Sequence, residues 1–370
     1  MLHLPYIGLP MTPTFPHDYP SARLAFRETA LHANAQLDTL VHPQQGRQGE
    51  ELAIDLAWLG PRDARKVLLS VSGTHGIEGL YGSGCQVGWL NQRAGQALPP
   101  DTAVLLVHAL NPYGFSYLRR VNEDNIDINR NCIDFSAPLP INPDYDTVHP
   151  WLLPPQWEEG SQLQLKAQLA AYSERVGLRA ASKAISGGQH HHPDGVFYGG
   201  QAPCWSNQQL QVLASRYLQA AQVIAVLDHH TGLGPAGHTE LICRHPVGSR
   251  SLELARQWWG ADVTSPALGE SATVVVSGNV RMAFEALCPQ ALAVAIALEV
   301  GTQAQALVRH ALFADNWLYQ RGQPNSAQGD VIRQQVRNAF FVDTPAWREG
   351  VFQRAMQLWQ QAIDGLQAAA

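Results

Sequence analysis

The chain has 370 residues, of which 45% are hydrophobic and 15% are charged. This composition allows a large buried core, organised as one large domain or two. The formal net charge of −6, from 31 acidic and 25 basic residues, gives no general attraction to nucleic acid or to anionic membranes.

The five cysteines are scattered and form no C-x-x-C pair, which argues against a disulfide framework and against a cysteine-ligated zinc site. The N-terminal residues lack the basic and apolar segments of a signal peptide, and no apolar run is long enough to span a bilayer. We therefore expect a cytoplasmic protein in which residues 1–20 form an extended arm and residues 21–370 form one domain.

Hydrophobic periodicity predicts strands that alternate with helices along the chain. The predicted strands are 52–58, 66–72, 103–107, 223–227, 239–243 and 291–298, and the predicted helices are 21–42, 78–93, 162–176, 206–219 and several after 303. No linker rich in Pro, Gly and Ser divides the chain. The simplest architecture is a single α/β domain with a mixed, mostly parallel twisted sheet and helices on both faces.

His75 and Glu78 follow the predicted strand at 66–72, within the segment VLLSVSGTHGIE. The carboxyl ends of strands are where open α/β sheets place their ligand sites. An imidazole and a carboxylate three positions apart can bind one divalent metal ion from one side. Catalytic zinc takes three protein ligands and leaves a fourth position for water, so a third ligand is required.

Two later strands also end in polar side chains. Asp228, His229 and His230 follow one of them, and Glu299 follows the other. Because the carboxyl ends of parallel strands converge at one edge of a sheet, these groups could meet His75. The polar loop between the strands adds further candidates: Arg119, Arg120, Asp127, Asn129 and Arg130.

The segments HGIE, NPYGF, DINRN, DHHTG and LEVGT, in that order, resemble the motifs of the zinc carboxypeptidase clan. The longer segments RRVNEDNIDINRN and HTGLGP resemble a bacterial branch of M14-like metallopeptidases, the DUF2817 family. The resemblance covers roughly residues 20–365. An isolated H-x-x-E pair is a weak signal, whereas five motifs in order at the expected strand ends and loops are a specific one.

The resemblance implies that His75, Glu78 and His230 bind one zinc ion per chain. His230 rather than His229 is the implied ligand, because the related motif places the ligand directly before threonine. Glu299 would be the general base that takes a proton from the attacking water.

Two aspartates are implied to act behind the metal ligands. Asp127 would orient the imidazole of His75. Asp228 either hydrogen-bonds behind a ligand or simply ends its strand.

The resemblance assigns the substrate-binding roles to the polar loop. Asn129 and Arg130 would bind a substrate carboxylate, and Arg119 or Arg120 would hold the oxyanion. The spacing from these arginines to DINRN is nearer to that of aspartoacylase-like relatives, and it leaves the choice between the two arginines open. Tyr198 is predicted to cover the bound substrate, although no motif aligns it.

Two histidine-rich features have simpler interpretations. His229 is interpreted as structural, because successive strand residues point to opposite faces. The run of three histidines at 190–192 is interpreted as a solvated loop rather than a second metal site.

These residues together predict a zinc-dependent hydrolase that cleaves an amide bond next to a substrate carboxylate, as a carboxypeptidase does. The substrate would be a peptide or a small molecule with a free carboxylate. One alternative is an N-acyl amino acid deacylase similar to aspartoacylase or succinylglutamate desuccinylase, and another is a non-catalytic binding protein on the same fold. The presence of all three metal ligands and Glu299 favours an enzyme, and the sequence does not decide the substrate or the oligomeric state.

Overall fold

The computed structural model describes residues 15–369, and eight strands of this segment form one sheet in the order β1-β2-β4-β3-β5-β8-β6-β7. The strands are β1 Gln36–Gln45, β2 Glu51–Leu59, β3 Lys66–Val71, β4 Thr102–His108, β5 Val223–Gly232, β6 Thr239–Ile242, β7 Val263–Thr264 and β8 Leu292–Gly301. The four central strands β4, β3, β5 and β8 are parallel. At one edge β1 and β2 are antiparallel, and at the other β6 runs antiparallel to β8.

Thirteen α-helices of the same segment surround this sheet. They are α1 Tyr19–His32, α2 Gly79–Arg93, α3 Pro112–Tyr117, α4 Ile128–Asn131, α5 Tyr145–Leu152, α6 Glu159–Val176, α7 Leu178–Ser186, α8 Trp205–Tyr217, α9 Arg250–Trp259, α10 Val280–Leu287, α11 Gln305–Gln320, α12 Ala327–Phe340 and α13 Pro345–Ala368. The predicted fold class, a single α/β domain with a mixed and mostly parallel sheet, is confirmed.

The core lies on both faces of the sheet because the central strands are apolar along their whole length. In β3, Val67, Leu69 and Val71 pack into one hydrophobic cluster, while Leu68 packs into the cluster on the other face. Strands covered on both faces read as continuous apolar runs, which is why the sequence pattern located them. All six predicted strands correspond to observed strands, and β1 and β7 were not predicted.

The predicted helix at 21–42 is wrong in its second half. The helix α1 ends at His32, and Asn34 then adopts a left-handed conformation with φ of 58°. Leu37 and Leu40, which had suggested a continuing helix, belong to β1, and Leu40 is buried under the sheet. The reversal at Asn34 has no strong signal in the sequence, so tertiary packing overrides the local pattern.

The predicted arm at residues 1–20 falls mainly on residues 1–14, which lie outside the described residues. The described segment begins just before α1, whose start is capped by the Asp18 side chain accepting a hydrogen bond from the Ser21 backbone N–H. Among the described helices, none combines the length and the apolar character needed to cross a membrane.

Candidate metal centre

His75 and Glu78 are brought together by a tight turn after β3. His75 precedes a single turn of 3₁₀-helix, Gly76–Glu78, that leads into α2. Gly76 packs against the backbone of Gly114 with no room for a side chain. Glycine is therefore required there, because any Cβ would push this turn away from the loop beside it.

His230 lies in β5, next to Glu299 of β8. The two residues are partners in the parallel register, and both are buried. Parallel strands place directly paired residues on the same face of the sheet. The sheet therefore delivers an imidazole and a carboxylate side by side at its carboxyl edge.

The side chains of His75, Glu78 and His230 converge on one point. The Nδ1 atom of His75 lies 2.9 Å from Glu78 Oε1, and the Nδ1 atom of His230 lies 2.8 Å from Glu78 Oε2. The two Nδ1 atoms are 3.2 Å apart. One ligand atom from each residue lies within 4.8 Å of the others, which is close enough for all three to bind a single ion.

The other ring nitrogen of each histidine faces an aspartate. His230 Nε2 lies 2.7 Å from Asp228 Oδ2, and His75 Nε2 lies 3.3 Å from Asp127 Oδ1. Asp228 is itself fixed by the Thr74 hydroxyl, which donates to Oδ1 at 2.7 Å. A carboxylate behind each imidazole favours a proton on Nε2 and leaves the Nδ1 lone pair facing Glu78.

This arrangement fits a divalent cation. Burial alone would raise the pKa of Glu78, but His75 and His230 hold it below its ordinary value. Burial alone would lower the pKa of His230, but Asp228 and Glu78 raise it to about 10. The cluster thus attracts positive charge, and two imidazole nitrogens with one carboxylate form the His₂Glu donor set found in catalytic zinc sites.

Glu299 lines the cleft that opens onto these three residues. Its Oε1 atom accepts a hydrogen bond from the Leu233 backbone N–H at 3.1 Å. Burial and the neighbouring Glu78 raise the pKa of Glu299 to about 7. A carboxylate with this pKa can take up and release a proton near neutral pH.

The structure separates the two candidate arginines. Arg120 lines the cleft, where its Nε donates to Asp127 Oδ2 at 3.0 Å and its Nη1 lies 3.5 Å from Glu78 Oε1. Arg119 points away from the cleft, forms a buried ion pair with Asp315 at 3.2 Å and lies over the ring of Tyr319. Arg119 is therefore not brought to the candidate metal centre, because consecutive residues of this loop project in opposite directions.

Asn129 and Arg130 both line the cleft. The Asn129 Oδ1 atom accepts from the Val280 backbone N–H at 2.8 Å, which ties α4 to α10, and its Nδ2 lies 3.5 Å from His230 Nε2. Arg130 donates to the carbonyl oxygens of Asn129 and Ser186. Its buried Nε has no hydrogen-bond partner among the described residues, so it can still receive an acceptor from a ligand.

Tyr198 is not among the residues that line this cleft. It packs into the hydrophobic cluster on the opposite side of its loop, together with Cys204 and Leu210. The structure therefore does not bring Tyr198 to the cleft, where the neighbouring Phe197 lies instead. Phe197 has a φ of 57°, and its ring lies 5.2 Å from the Arg120 guanidinium.

Three further arginines in the cleft were missed by the sequence analysis, and one of them is Arg309 of α11. Arg244 follows β6, and Arg281 lies in the first turn of α10. None of the three belongs to a recognised motif, and the segments that carry them showed no polar clustering. The sequence offered one signal for them. The chain has only 25 Lys and Arg residues in total, so each arginine was a candidate for a functional role.

One family model, described as protein of unknown function DUF2817, matches residues 15–354. The chain belongs to the DUF2817 family. No curated protein matches this DUF2817 chain.

The solved structures to which the DUF2817 chain is similar include the following two. One is carboxypeptidase A from Helicoverpa armigera, with 11% identity, 89% of this chain and 75% of that chain covered, and a TM-score of 0.43. The other is succinylglutamate desuccinylase from Chromobacterium violaceum, with 16% identity, 88% and 74% covered, and a TM-score of 0.38. With TM-scores below 0.5, neither structure determines the chemistry of this DUF2817 protein.

Among residues 15–369, the histidines other than His75 and His230 do not line the cleft. His229 points to the opposite face of β5, between Tyr81 and Trp359, and burial lowers its pKa to about 3. In the loop at 190–192, the His192 Nε2 atom lies 2.7 Å from Asp146 Oδ1. His192 also stacks on His149, which is held by Asp194, so these side chains already satisfy one another.

Proposed function

We propose that this protein is a zinc-dependent hydrolase that cleaves an amide bond next to a substrate carboxylate. His75, Glu78 and His230 would hold one zinc ion per chain. The observation that carries the proposal is the approach of two buried Nδ1 atoms to 3.2 Å beside one carboxylate, with an aspartate behind each ring. Two unprotonated Nδ1 atoms and a carboxylate would repel one another at this distance, so a cation, either a proton or a metal ion, must lie among them.

A zinc ion bound there would polarise the substrate carbonyl and lower the pKa of a water molecule toward ~7. Glu299 would take the proton from the attacking water and pass it to the leaving nitrogen. The burial of Glu299 and its raised pKa support this role, since the same carboxyl group must accept a proton and then give it up.

Arg120 would stabilise the negative charge that develops on the carbonyl oxygen. Its guanidinium lies beside Glu78 and is held in place by Asp127, which supports a fixed orientation toward the reacting carbonyl. A preorganised positive group costs little reorganisation when the charge appears. Arg130, with the Nδ2 group of Asn129, would hold the substrate carboxylate beside the scissile bond.

The substrate would be a peptide with a free C-terminus, as for a carboxypeptidase, or an N-acyl amino acid, as for a deacylase. Both substrates present the same amide and carboxylate to the cleft. A cytoplasmic location belongs to the same proposal and is supported by the odd number and scattered positions of the cysteines.

The proposal is tested by elemental analysis of tag-free protein, followed by turnover assays on C-terminally free peptides and N-acyl amino acids. We expect about one zinc per chain and hydrolysis that stops on treatment with a chelator and returns when zinc is added. Each substrate is compared with its C-terminal amide, which removes only the carboxylate charge. Protein that binds no divalent metal and is not activated by added zinc would contradict the proposal.

A further inference from the structure

A second group of metal-ligating side chains lies away from the cleft. His149 of α5, together with His192 and Asp194 of the loop after α7, places one possible ligand atom per residue within 4.8 Å of the others. His149 Nε2 lies 3.0 Å from Asp194 Oδ1, and the two histidine rings stack with their centres 4.1 Å apart. In the part of the chain that the structure describes, this group and the candidate metal centre are the two that could hold a metal ion.

The structure separates the three neighbouring histidines at 190–192, which look alike in the sequence. His190 is buried, and its Nδ1 atom lies 2.6 Å from a backbone carbonyl oxygen. His191 is exposed. His192 turns toward α5, where its ring stacks on His149. A solvated loop, as interpreted from the sequence, therefore describes only His191.

The charges in this group favour a divalent cation. Asp146 adds a second carboxylate, whose Oδ1 atom lies 2.7 Å from His192 Nε2. Among residues 15–369, Asp146 and Asp194 form ion pairs only with these two histidines. Burial lowers the pKa of His149, and the neighbouring His192 and Arg321 act in the same direction, whereas Asp194 raises it. Because two stacked imidazolium rings would repel each other, protonation is an unfavourable way to neutralise both carboxylates.

The loop that carries two of the ligands is held by buried side chains. The Gln189 Oε1 atom accepts the His192 backbone N–H at 2.8 Å, and its Nε2 donates to the His192 carbonyl oxygen at 2.7 Å. Asn316 of α11 donates to the Asp194 carbonyl oxygen at 2.8 Å. The fold therefore positions these ligands before a metal binds, which reduces the entropy lost on binding.

The same loop lies directly against α5. A Cβ atom on Gly195 would lie 2.5 Å from the Tyr145 hydroxyl and 3.1 Å from the His149 ring, so only glycine allows this approach. One ligand comes from the helix, and the other two, His192 and Asp194, come from the loop. A metal ion bound by all three would join the two segments.

We propose that His149, His192 and Asp194 form a second zinc site, which fixes the loop at 189–196 to α5. Imidazole nitrogens with a carboxylate are a donor set that suits zinc. Phe197, which lines the cleft, follows this loop directly. The second site would thus stabilise one wall of the cleft, and it does not depend on the proposed hydrolase.

The second site is more exposed than the candidate metal centre. The side chain of Asp194 is 43% exposed and that of His192 is 28% exposed, whereas those of His75 and Glu78 are at most 5% exposed. We therefore expect the second site to lose zinc during purification and to refill when zinc is supplied. Purified protein should keep the single zinc of the proposed function.

The test counts bound zinc and does not measure turnover. Full-length purified protein is dialysed against a series of buffered zinc concentrations, and the bound zinc is determined by elemental analysis. The wild-type protein should take up a second equivalent per chain. Its Tm should rise at the same time, because an ion that binds only the folded state stabilises it. His192→Ala should lose both the second equivalent and the rise in Tm.

His191→Ala is the matched control, because it removes an exposed histidine from the same loop. It should keep the second equivalent. His230→Ala should lose the zinc of the candidate metal centre and also keep the second equivalent, so the two sites can be tested separately.

Two results would overturn the inference. One is a wild-type protein that takes up no second equivalent, which would be decisive even if His192→Ala failed to fold. The other is an equal loss of zinc in His191→Ala and in folded His192→Ala, which would show binding by a solvated run of histidines instead of a defined site.

Discussion

Separate replacement of Arg119 and Arg120 by methionine tests the division of roles between these adjacent residues. Arg119→Met removes the partner of a buried carboxylate, Asp315, and a hydrogen bond to Asn125 at 3.1 Å. Breaking a buried ion pair on one side costs roughly 3–5 kcal/mol, because the remaining charge is left uncompensated. Because the unfolding entropy scales with the 370 residues of the chain, we expect Tm to fall by roughly 4–6 °C, with kcat of the surviving folded protein close to normal.

Arg120→Met should lower kcat more than it lowers Tm, which is the opposite of the effect expected for Arg119→Met. The Arg120 side chain is 14% exposed, and its partner Asp127 keeps the backbone N–H of Asn129 and the guanidinium of Arg130 as neighbours. The loss of stability should therefore be smaller than for Arg119→Met, because Asp127 keeps these two partners. Because the charge that Arg120 would stabilise appears only in the transition state, kcat should fall by roughly 10²–10³-fold with little change in KM.

The assay combines thermal unfolding of each variant with steady-state kinetics on the best substrate, measured well below the lower Tm. Arg250→Met serves as the control for removal of a surface arginine. The reasoning would be refuted by an Arg119→Met protein that unfolds at the wild-type temperature but has lost turnover, together with an Arg120→Met protein of normal kcat.

Three further predictions concern individual side chains. Glu299→Gln should retain zinc and the wild-type Tm but lose most turnover, and near-normal kcat would mean that Glu299 is structural. His230→Ala should lose zinc, measured by elemental analysis, whereas His229→Ala should keep it because that ring faces the other side of β5. Burial lowers the pKa of His108 to about 4. Only the unfolded chain then gains a proton at this residue as the pH falls from ~6.5 toward 4, and stability should decrease by about 3 kcal/mol over this range. In His108→Gln this part of the pH dependence, followed by chemical unfolding, should disappear.

The sequence was most informative where the strand pattern is strict. The alternation of residues in β5 sends His230 toward the cleft, with Asp228 behind its ring, and His229 into the core, as expected from the period of two. The carboxyl ends of β3, β5 and β8 lie at one edge, because parallel pairing fixes their register. These two rules together account for the convergence of His75, His230 and Glu299.

The sequence was less informative where a loop decides the direction of a side chain. Arg119 and Arg120 are chemically identical neighbours, and only the fold shows that Asp315 of α11 receives one and Asp127 the other. Phe197 and Tyr198 present the same ambiguity, since the left-handed conformation of Phe197 turns it toward the cleft. No local pattern specifies these directions, because the partners lie far away in the chain.

Arg244 shows why one part of the cleft was harder to predict than the candidate metal centre. The proposed metal ligands follow strands that pair in parallel, so each can be located from its own strand end. Arg244 reaches the cleft only because β6 turns back antiparallel to β8 and places Ile242 opposite Ala297. A shift of β6 by one residue would turn Ile242 and Arg244 to the other face, since successive strand residues alternate. The residues of the candidate metal centre can thus be located from local motifs, whereas the position of Arg244 depends on a register that only the assembled sheet defines.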